Sequence, residues 1–414
     1  MSLKTHFAYP KFAEPPYRLL LIEADLYLQA EMATALRALG HTVKIIPLAL
    51  ARDDPGQFLT QLLHAAVALK PDAILTENHA GLDDGGKIAS VLDDLDLPMI
   101  VWYLDDFRFL IGGGECLARS NTLVFTFERC HLPLLLAAGF RDVHYLPSAS
   151  SLDPAVSYPP LHDLDLSRAT SFLGNTFEFS RHKLANPLFS DLLAHLIGNG
   201  FDLATGQDLV TTVLQLQGHH FTDISDAYRY AAFVASDATQ RYRATALRQV
   251  RAQALHIFGD AHWTNLEIPG TIHGQLDTQR EVPALYRHSL INLNLSSPQL
   301  ISAVNLRVYD VPAAGGFLLT DWRDDLPLLF DIDREVVTFH GVEEANEKIA
   351  YYERHPSARS RIVAAAHARV LKEHLLTHRM DMLLTIAKKS FGARHAGSLS
   401  PTADLPTTRR LDTM

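Results

Sequence analysis

The sequence predicts an α/β protein with two Rossmann-like domains, each built on a parallel sheet. Short apolar runs suited to buried strands alternate with segments of helical periodicity, which is the pattern of a parallel sheet covered on both faces. This alternation stops at a polar stretch rich in Pro, Ser and Asp and then starts again. A chain of 414 residues is also too long for one ordinary core, so we expect two domains.

The first domain is expected over residues 1–150. Strands are predicted where short apolar runs are bounded by turn residues, at 17–23, 41–48, 73–76, 98–104, 123–127 and 143–146. Helices are predicted where apolar residues recur at helical spacing, at 28–39, 57–69 and 86–95. Gly40 ends the first helix, because glycine readily adopts the left-handed conformation after a last turn, and Pro71 closes the second.

A linker is expected over 151–167, followed by a second domain over 168–391. Its strands are predicted at 171–174, 255–259, 271–274, 290–295 and 317–320, and its helices at 181–197, 342–353 and 357–391. A helical segment without readable function occupies about 200–253. The tail at 392–414 is rich in Ser, Thr, Pro and Arg, which predicts disorder.

Composition narrows the functional classes. A hydrophobic fraction of 47% is typical of a globular protein, and a formal charge of −10 argues against a nucleic-acid partner. Nucleotides remain possible ligands, because they need only a local basic pocket. The two cysteines, Cys116 and Cys130, form no disulfide framework and suit a reducing cytoplasm. No apolar run approaches the roughly 20 residues of a membrane span, so we expect a cytoplasmic protein without an integral membrane segment.

The segment 286–321 is the most informative part of the chain, and it reads as strand, loop, helix and strand. Leu306, Tyr309 and Ala313 recur at helical spacing, with Asn305 and Arg307 at the helix start and Asp310 one turn later. A helix start with an arginine favours an anion, and a carboxylate one turn on can accept hydrogen bonds from sugar hydroxyls. Diphosphate plus ribose fits this order. The alternative is an ion pair between Arg307 and Asp310 within the helix.

Further candidates follow other strands, since ligands of parallel sheets collect beyond the carboxyl ends of the strands. Gly174 and Asn175 follow the first strand of the second domain, and Arg181 opens the next helix. Glycine lets the backbone approach a phosphate, and arginine makes two-pronged contacts with it. A plain turn with a surface arginine is the alternative.

The first domain carries candidates for a general base. Asp105 and Asp106 end the strand at 98–104, and either carboxylate could take a proton, while one of them could instead hold an arginine or cap a helix. His79, in the loop that begins with Glu77, is a comparable candidate, although a structural role is the alternative. Neither an HExxH motif nor paired CxxC motifs occur, so no metal site is expected.

The 286–321 segment resembles the nucleotide-sugar half of GT-B glycosyltransferases of group 1, and most closely the branch that includes the spore maturation protein CgeB. The resemblance continues through VVTF at 336–339, AYY at 350–352, VLKEH at 370–374 and Arg379, and it covers roughly residues 15–385. It implies two sheets facing a central cleft and a last helix that crosses back to the first domain. It also implies sugar transfer from a UDP-, GDP- or dTDP-type donor to a surface polysaccharide or a protein such as flagellin, with neither cofactor nor metal.

The same resemblance implies roles for individual residues. The loop with Gly174, Asn175 and Arg181 would face the donor diphosphate, and Asp310 would bind the donor ribose. The backbone at His273 and Gly274 would hold the nucleobase, although a structural histidine is equally consistent with the sequence. Ser302 stands where many group 1 enzymes carry a glutamate that contacts the transferred sugar, so neither sugar identity nor retention of configuration follows from the family.

Two other functions stay open at this point. One is a GT-B scaffold that binds a nucleotide sugar without transferring it, or an epimerase-type enzyme, because the base is not identified. The more distant one is a receiver-like signalling module over residues 17–105, in which Glu77 stands where a receiver has its phosphoacceptor aspartate. The acceptor, the nucleotide, the sugar and the oligomeric state are left open by the sequence.

Overall fold

The fold was analysed in a computed structural model that describes residues 3–24, 28–48, 55–83, 85–111, 118–162, 164–178, 187–217 and 224–392. Within these ranges the chain forms two six-stranded sheets in which every strand pairing is parallel. The predicted α/β class with two Rossmann-like sheets is confirmed. The tail predicted over 392–414 lies outside the described residues except for Gly392.

The first sheet has the strand order β2-β1-β3-β4-β5-β6. Its strands are β1 (Arg18–Glu23), β2 (Thr42–Pro47), β3 (Ala73–Glu77), β4 (Met99–Tyr103), β5 (Thr122–Thr126) and β6 (Val143–Tyr145). Its helices are α1 (Gln29–Ala38), α2 (Pro55–Leu69), α3 (Lys87–Asp94), α4 (Phe107–Ile111) and α5 (Leu132–Ala137). The last two helices are too short to show periodicity, and the sequence did not predict them.

Alternation along β1 explains why this sheet is buried on both faces. Leu20 and Ile22 enter one apolar core, whereas Leu19 and Leu21 enter the core on the opposite face. Successive strand side chains point to opposite faces, so a continuous apolar run needs cover on both sides. The strand is therefore a central one.

The second sheet has the order β12-β11-β10-β7-β8-β9. Its strands are β7 (Thr170–Leu173), β8 (Leu255–Phe258), β9 (Thr271–His273), β10 (Ile291–Asn294), β11 (Leu318–Asp321) and β12 (Val337–Phe339). Its helices are α6 (Pro187–Gly198), α7 (Leu209–Gln217), α8 (Ile224–Gln249), α9 (Glu281–His288), α10 (Arg307–Ala313), α11 (Leu326–Leu329), α12 (Val342–Arg354) and α13 (Pro356–Glu373). No helix of the described ranges combines the length and apolar character that crossing a bilayer requires.

The order of strands fixes where a ligand is expected. In the first sheet the direction of the strand order reverses between β1 and β3, and in the second between β7 and β10. The loops that leave two neighbouring strands at such a point turn to opposite faces and open a crevice at the carboxyl ends. Glu77 ends β3 and Gly174 follows β7, so both lie at these switch points.

The prediction of a single helix over 357–391 is wrong, because α13 ends and a separate helix, α14 (Leu376–Ala387), follows it. At the break, Ser150 donates its N–H to the carbonyl of His374 at 2.9 Å and accepts the N–H of Leu376 at 2.8 Å. Arg379 also donates to the carbonyl of Pro147 at 2.9 Å. The segment around Ser150 and the segment between α13 and α14 both connect the domains, and they are therefore hydrogen-bonded to each other.

Helix α14 lies within the range predicted for the second domain, but it packs on the first sheet. Met380, Leu383 and Leu384 are buried in the same core as Leu19 and Trp102. The first domain is thus completed by the last helix of the described chain.

Candidate active site

A cavity of about 540 Å³ lies where the carboxyl ends of the two sheets meet, and its volume is typical of a small-molecule site. The first domain contributes Leu28, Glu77, Leu104, Asp105, Phe127 and Ser148. Polar residues on the second-domain side include Asn175, Arg243, Gln275, Thr278, Ser297, Gln299, Asn305, Arg307 and Asp310. The two switch points therefore open into one shared space.

Two arginines on the second-domain wall have no carboxylate partner. Arg243, on α8, is 4% exposed and donates to the carbonyls of Asn175 at 2.8 Å and Leu295 at 3.3 Å. Burial, and then the charge of Arg307, lower the pKa of Arg243 to about 9, so it stays protonated at neutral pH. The Nε of Arg307 is buried without a hydrogen-bond partner. Across the described part of the chain, neither guanidinium forms an ion pair.

Asp310 lies one turn after Arg307, but the two side chains are not in salt-bridge contact. The Oδ1 of Asp310 instead accepts a hydrogen bond from Ser150 Oγ at 2.6 Å, from the first connecting segment. Burial raises the pKa of Asp310 to about 7, although the bond from Ser150 and the charge of Arg307 oppose this. The alternative of an intrahelical ion pair is therefore not what the structure has.

The helix start, where the sequence predicts an anion site, has two of its first amides already engaged. Helix α10 has seven residues, and the N–H groups of Val308 and Tyr309 already bond to the carbonyls of Asn305 and Leu306. These amides are not free for a ligand. The side chains of Arg243 and Arg307 supply positive charge next to this position.

The loop after β7 lines the cavity and is held tightly. Trp263 donates its indole N–H to the carbonyl of Gly174 at 2.7 Å. A Cβ atom on Gly259 would lie 2.2 Å from that same carbonyl, so the loop after β8 must carry glycine there. Gly174 and Asn175 thus reach the cavity as predicted from strand ends, whereas Arg181 lies outside the described residues.

The predicted nucleobase position is beside the cavity rather than in its lining. His273 stacks on Phe258 at 4.4 Å between ring centroids, and its Nε2 is 2.9 Å from His256 Nδ1. Burial lowers the pKa of His273, which fits the structural alternative. His273 and Gly274 do not line the cavity, but Gln275 directly after them does. Asn305 also lines it, with its amide bonded to Asn294 at 2.9 Å and 3.1 Å.

Two carboxylates lie on the first-domain wall. Asp105 accepts a hydrogen bond from Asn78 Nδ2 at 2.7 Å, and the Oδ1 of Asn78 accepts the N–H groups of Leu104 and Asp105. Glu77 is 2% exposed, and among the described residues its Oε2 accepts a long hydrogen bond from the N–H of Leu28 at 3.4 Å. Burial raises the pKa of both acids, that of Glu77 to about 7.

Asp106 and His79, both predicted as possible bases, do not line the cavity. Asp106 is 2% exposed and binds Arg108, with Nη2–Oδ2 at 2.6 Å, and Arg108 reaches on to Asp208 of the second domain at 3.0 Å. This is the alternative in which one of the two aspartates holds an arginine. His79 Nδ1 is 3.1 Å from the hydroxyl of Tyr103, and burial lowers the pKa of His79 to about 4, so it is neutral at pH 7.

Ser302 binds a residue of the opposite domain. Glu128, which is 1% exposed, accepts Ser302 Oγ at 2.5 Å and the N–H groups of Ile301 at 2.9 Å and Ala303 at 3.1 Å. The loop that lines the cavity through Gln299 and Leu300 is therefore fixed from the first domain. No group of three or more His, Cys, Asp or Glu side chains among the described residues is arranged to hold a metal ion.

Arg243 is the residue that sequence reasoning missed, because it lies in the 200–253 segment that had no readable function. A signal was nevertheless present. Thr239 and Leu247 flank Arg243 at spacings of four on α8, and both are buried. A charged residue within a buried helical stripe requires a partner or a ligand. Glu128 was missed as well, since its partners are backbone amides distant in sequence.

The chain resembles known proteins in sequence and in fold. Residues 241–385, which include Arg243, Arg307 and Asp310, match the family model described as "Glycosyl transferase-like". No curated protein sequence matches the chain.

Solved structures share the whole architecture. HepE from Anabaena, solved with UDP and glucose, is 10% identical with a TM-score of 0.53, over 90% of this chain and 100% of that one. A glycosyltransferase from Rickettsia africae is 12% identical with a TM-score of 0.52, over 91% and 99%. Sucrose-phosphate synthase from Thermosynechococcus elongatus is 11% identical with a TM-score of 0.55, over 91% and 100%. The fold is GT-B, and these findings together support a glycosyltransferase.

Proposed function

We propose that the protein transfers a sugar from a nucleotide-diphosphate-sugar donor bound in the cavity to an acceptor that enters from the first domain. The observation that most supports this is the pair Arg243 and Arg307. Both guanidiniums line one cavity, and neither has a carboxylate partner in the described ranges. Buried charges are retained at a cost of several kcal/mol unless something neutralises them, and a diphosphate supplies two negative groups.

The same pair suits the chemistry of the leaving group. When the bond between the sugar and the diphosphate breaks, negative charge develops on the diphosphate oxygens. Preorganised cations in a cavity that excludes water stabilise such charge far better than solvent does. Arginine also binds phosphate with two parallel hydrogen bonds. The guanidiniums thereby supply the charge that a metal ion supplies elsewhere, and we propose transfer without a metal or another cofactor.

The remaining donor contacts follow the order of the residues. Asp310, adjacent to Arg307, would accept hydrogen bonds from the ribose hydroxyls, and Gly174 and Asn175 would approach the diphosphate through their backbone. The segment after Gly274, with Gln275, Leu276 and Thr278 in the cavity lining, would hold the nucleobase. Arg181 stays a proposed diphosphate ligand on the basis of the family resemblance alone.

Finer assignments belong to this proposal and rest on the motif resemblance. They are membership of the CgeB-like branch, a cytoplasmic location, and an acceptor that is a cell-surface polysaccharide or a protein such as flagellin. Because HepE has the same fold and was solved with UDP and glucose, UDP-glucose is the first donor to test, followed by GDP and dTDP sugars.

The test is calorimetry with UDP, GDP, CMP and dTDP and their common sugars, on the wild type, Arg307→Ala and Arg241→Ala. We expect one nucleotide to bind the wild type and to raise its melting temperature, because a ligand of the native state stabilises it by mass action. Arg307→Ala should bind it about 10- to 100-fold more weakly, since a charge-assisted hydrogen bond contributes about 1.5–3 kcal/mol.

Arg241 is a matched control on α8. Its guanidinium pairs with Asp237 at 3.0 Å and is 40% exposed, and Arg241 does not line the cavity. Arg241→Ala should bind the nucleotide within twofold of the wild type. The donor site is refuted if no nucleotide binds the wild type, or if Arg307→Ala binds as tightly as the control.

A further inference from the structure

We propose that Glu77 is the general base that takes the proton of the acceptor hydroxyl, and that transfer is a single displacement which inverts the anomeric carbon. This inference rests on the proposed function and deepens it. It assigns a catalytic role to a residue that the sequence analysis did not single out as a base. It also assigns the stereochemical course, which the family resemblance leaves open.

Position is the first argument for Glu77. It is the last residue of β3, at the switch point of the first sheet, and it lines the cavity on the wall opposite Arg243 and Arg307. A base must lie within hydrogen-bond reach of the proton it takes. The single hydrogen bond that Glu77 makes within the described residues is the long one from Leu28 to Oε2, so its Oε1 is free to accept a proton from a ligand.

The electrostatic surroundings form the second argument. The charged groups that face Glu77 are Asp105, on the loop after β4, and Glu31, on α1, and both are acidic. Burial first, and then these like charges, raise the pKa of Glu77 to about 7. A base whose pKa lies near the working pH combines a useful deprotonated fraction with sufficient basicity.

Asp105 is the competing carboxylate, and its contacts suit a different task. The amide of Asn78 donates to it at 2.7 Å and favours its charged form, while both backbone N–H groups of the Leu104–Asp105 turn are fixed by the same Asn78. Asp105 is therefore held in place as a positioning residue, and its negative charge keeps the pKa of Glu77 high.

The donor side of the cavity offers no free carboxylate for a covalent glycosyl intermediate. In the described part of the chain, the acids that line the cavity are Glu77, Asp105 and Asp310. Asp310 is bonded to Ser150 and lies beside Arg307, and Ser302 is bonded to Glu128. Glu77 thus lies across the cavity from the arginines that would hold the leaving diphosphate, which is the arrangement that a direct displacement requires.

The step balances without a further reactant. The acceptor oxygen forms a bond to the anomeric carbon while the bond from that carbon to the diphosphate oxygen breaks. The electron pair leaves with the nucleoside diphosphate, next to Arg243 and Arg307. The hydroxyl proton passes to Oε1 of Glu77 and is released to solvent after the products leave.

The experiment compares wild type, Glu77→Gln, Asp105→Asn and Glu31→Gln, with whichever of UDP-glucose, GDP-mannose or dTDP-glucose calorimetry selects as donor and with water as the acceptor. Released nucleotide gives the rate, and proton NMR of the freshly released sugar gives its anomeric configuration. Glu77→Gln should lower kcat by about 100- to 10,000-fold and leave the donor Kd within threefold. The sugar should appear first as the inverted anomer.

The pH profile separates the base from its neighbours. The wild-type rate should fall as the pH drops below about 7, where Glu77 becomes protonated. Asp105→Asn should move this limb to lower pH, because a like charge next to Glu77 is removed. Glu31→Gln should move it in the same direction by less and keep the plateau of kcat within twofold, since Glu31 does not line the cavity.

The possible results separate a failure of the Glu77 assignment from a failure of the proposed function. Retained configuration, an active Glu77→Gln, or a bound donor that the wild type never turns over would each overturn the assignment of Glu77 while leaving donor binding intact. If the wild type binds no donor at all, the proposed function fails instead.

Discussion

The two walls of the cavity come from sheets of the same kind, yet they carry opposite charge. The second-domain wall presents Arg243 and Arg307, and the first-domain wall presents Glu77 and Asp105. On each wall the charged groups also repel one another: after burial, which is the larger cause in both cases, the charge of Arg307 lowers the pKa of Arg243 and the charge of Asp105 raises that of Glu77. The second-domain carboxylate beside Arg307, that of Asp310, is hydrogen-bonded to Ser150, and the two first-domain carboxylates lie across an open space from the arginines, so neither arginine forms an ion pair within the described residues.

This separation shows what the cavity is arranged to bind. If stability alone were at stake, each arginine would be expected to meet a carboxylate, as Arg108 does with Asp106 at 2.6 Å. A ligand that is anionic at one end and gives up a proton at the other satisfies both walls. A nucleotide sugar together with a hydroxyl acceptor is such a ligand.

Replacing Arg243 tests the cationic wall and has the largest expected effect. Arg243→Met keeps a long apolar side chain but removes the guanidinium, which lies over the rings of Phe172 and Phe177, so donor affinity should fall about 100-fold or more. Arg241→Met, two residues away on α8, should leave it within twofold. Calorimetry on both variants measures this. Equal affinity in the two would mean that the cationic wall does not face the donor.

Replacing Glu128 tests whether the walls depend on each other. Glu128→Ala leaves the N–H groups of residues 301–303 without their acceptor, so the free energy of unfolding should fall by about 2–3 kcal/mol and donor affinity should weaken. Urea denaturation with calorimetry measures both.

The control for this variant is Glu343→Ala, which breaks an exposed ion pair with Arg251 and should change stability by less than about 0.5 kcal/mol. If Glu128→Ala loses no more stability than this control, the second-domain wall keeps its shape without the contact from the first domain.

The acidic wall is tested through the free energy of unfolding rather than through activity or donor affinity. The folded-state pKa of Glu77 lies above its ordinary value of 4.5, so its contribution to folding is fully present below about pH 4 and is lost as the pH rises through about 7. Glu77→Gln removes this loss. At pH 8 the variant should therefore be more stable than wild type by up to about 3 kcal/mol, since each pKa unit corresponds to about 1.4 kcal/mol, and the gain should vanish at pH 4.

Urea unfolding of both proteins at the two pH values measures this difference. A Glu77→Gln variant that is less stable than wild type at pH 8 would show that the carboxylate is compensated by a contact, and the contrast between the walls would then be weaker than described.

Much of the fold and part of the site could be predicted, because the governing rules are local. Alternation of apolar runs gave the strands, and the strand-end rule led to Gly174, Asn175, Arg307, Asp310 and Asp105, which all line the cavity. Parallel strands place their carboxyl ends at one edge, so residues after different strands meet there whatever their separation in sequence.

What could not be predicted depends on contacts between distant residues. Asp105 and Asp106 are neighbours in sequence, and only the position of Arg108 relative to Asp208 and Asp106 shows which of them is engaged. The break between α13 and α14 is stabilised by backbone hydrogen bonds to Ser150. The apolar periodicity of the two helices does not predict it. Arg243 reaches the cavity from a helix whose packing no short motif encodes.

The return of α14 to the first sheet has a consequence for biosynthesis. Domains of a nascent chain commonly fold in order as they leave the ribosome, the amino-terminal one first. Here the core containing Leu19, Trp102 and Phe125 is closed by Met380, Leu383 and Phe391, which are translated hundreds of residues later. The face of the first sheet that holds these side chains is therefore covered only in part, by α1, through most of translation. A transcript truncated before codon 376 would yield a chain with a complete second sheet and an unfinished first domain, a natural client for chaperones.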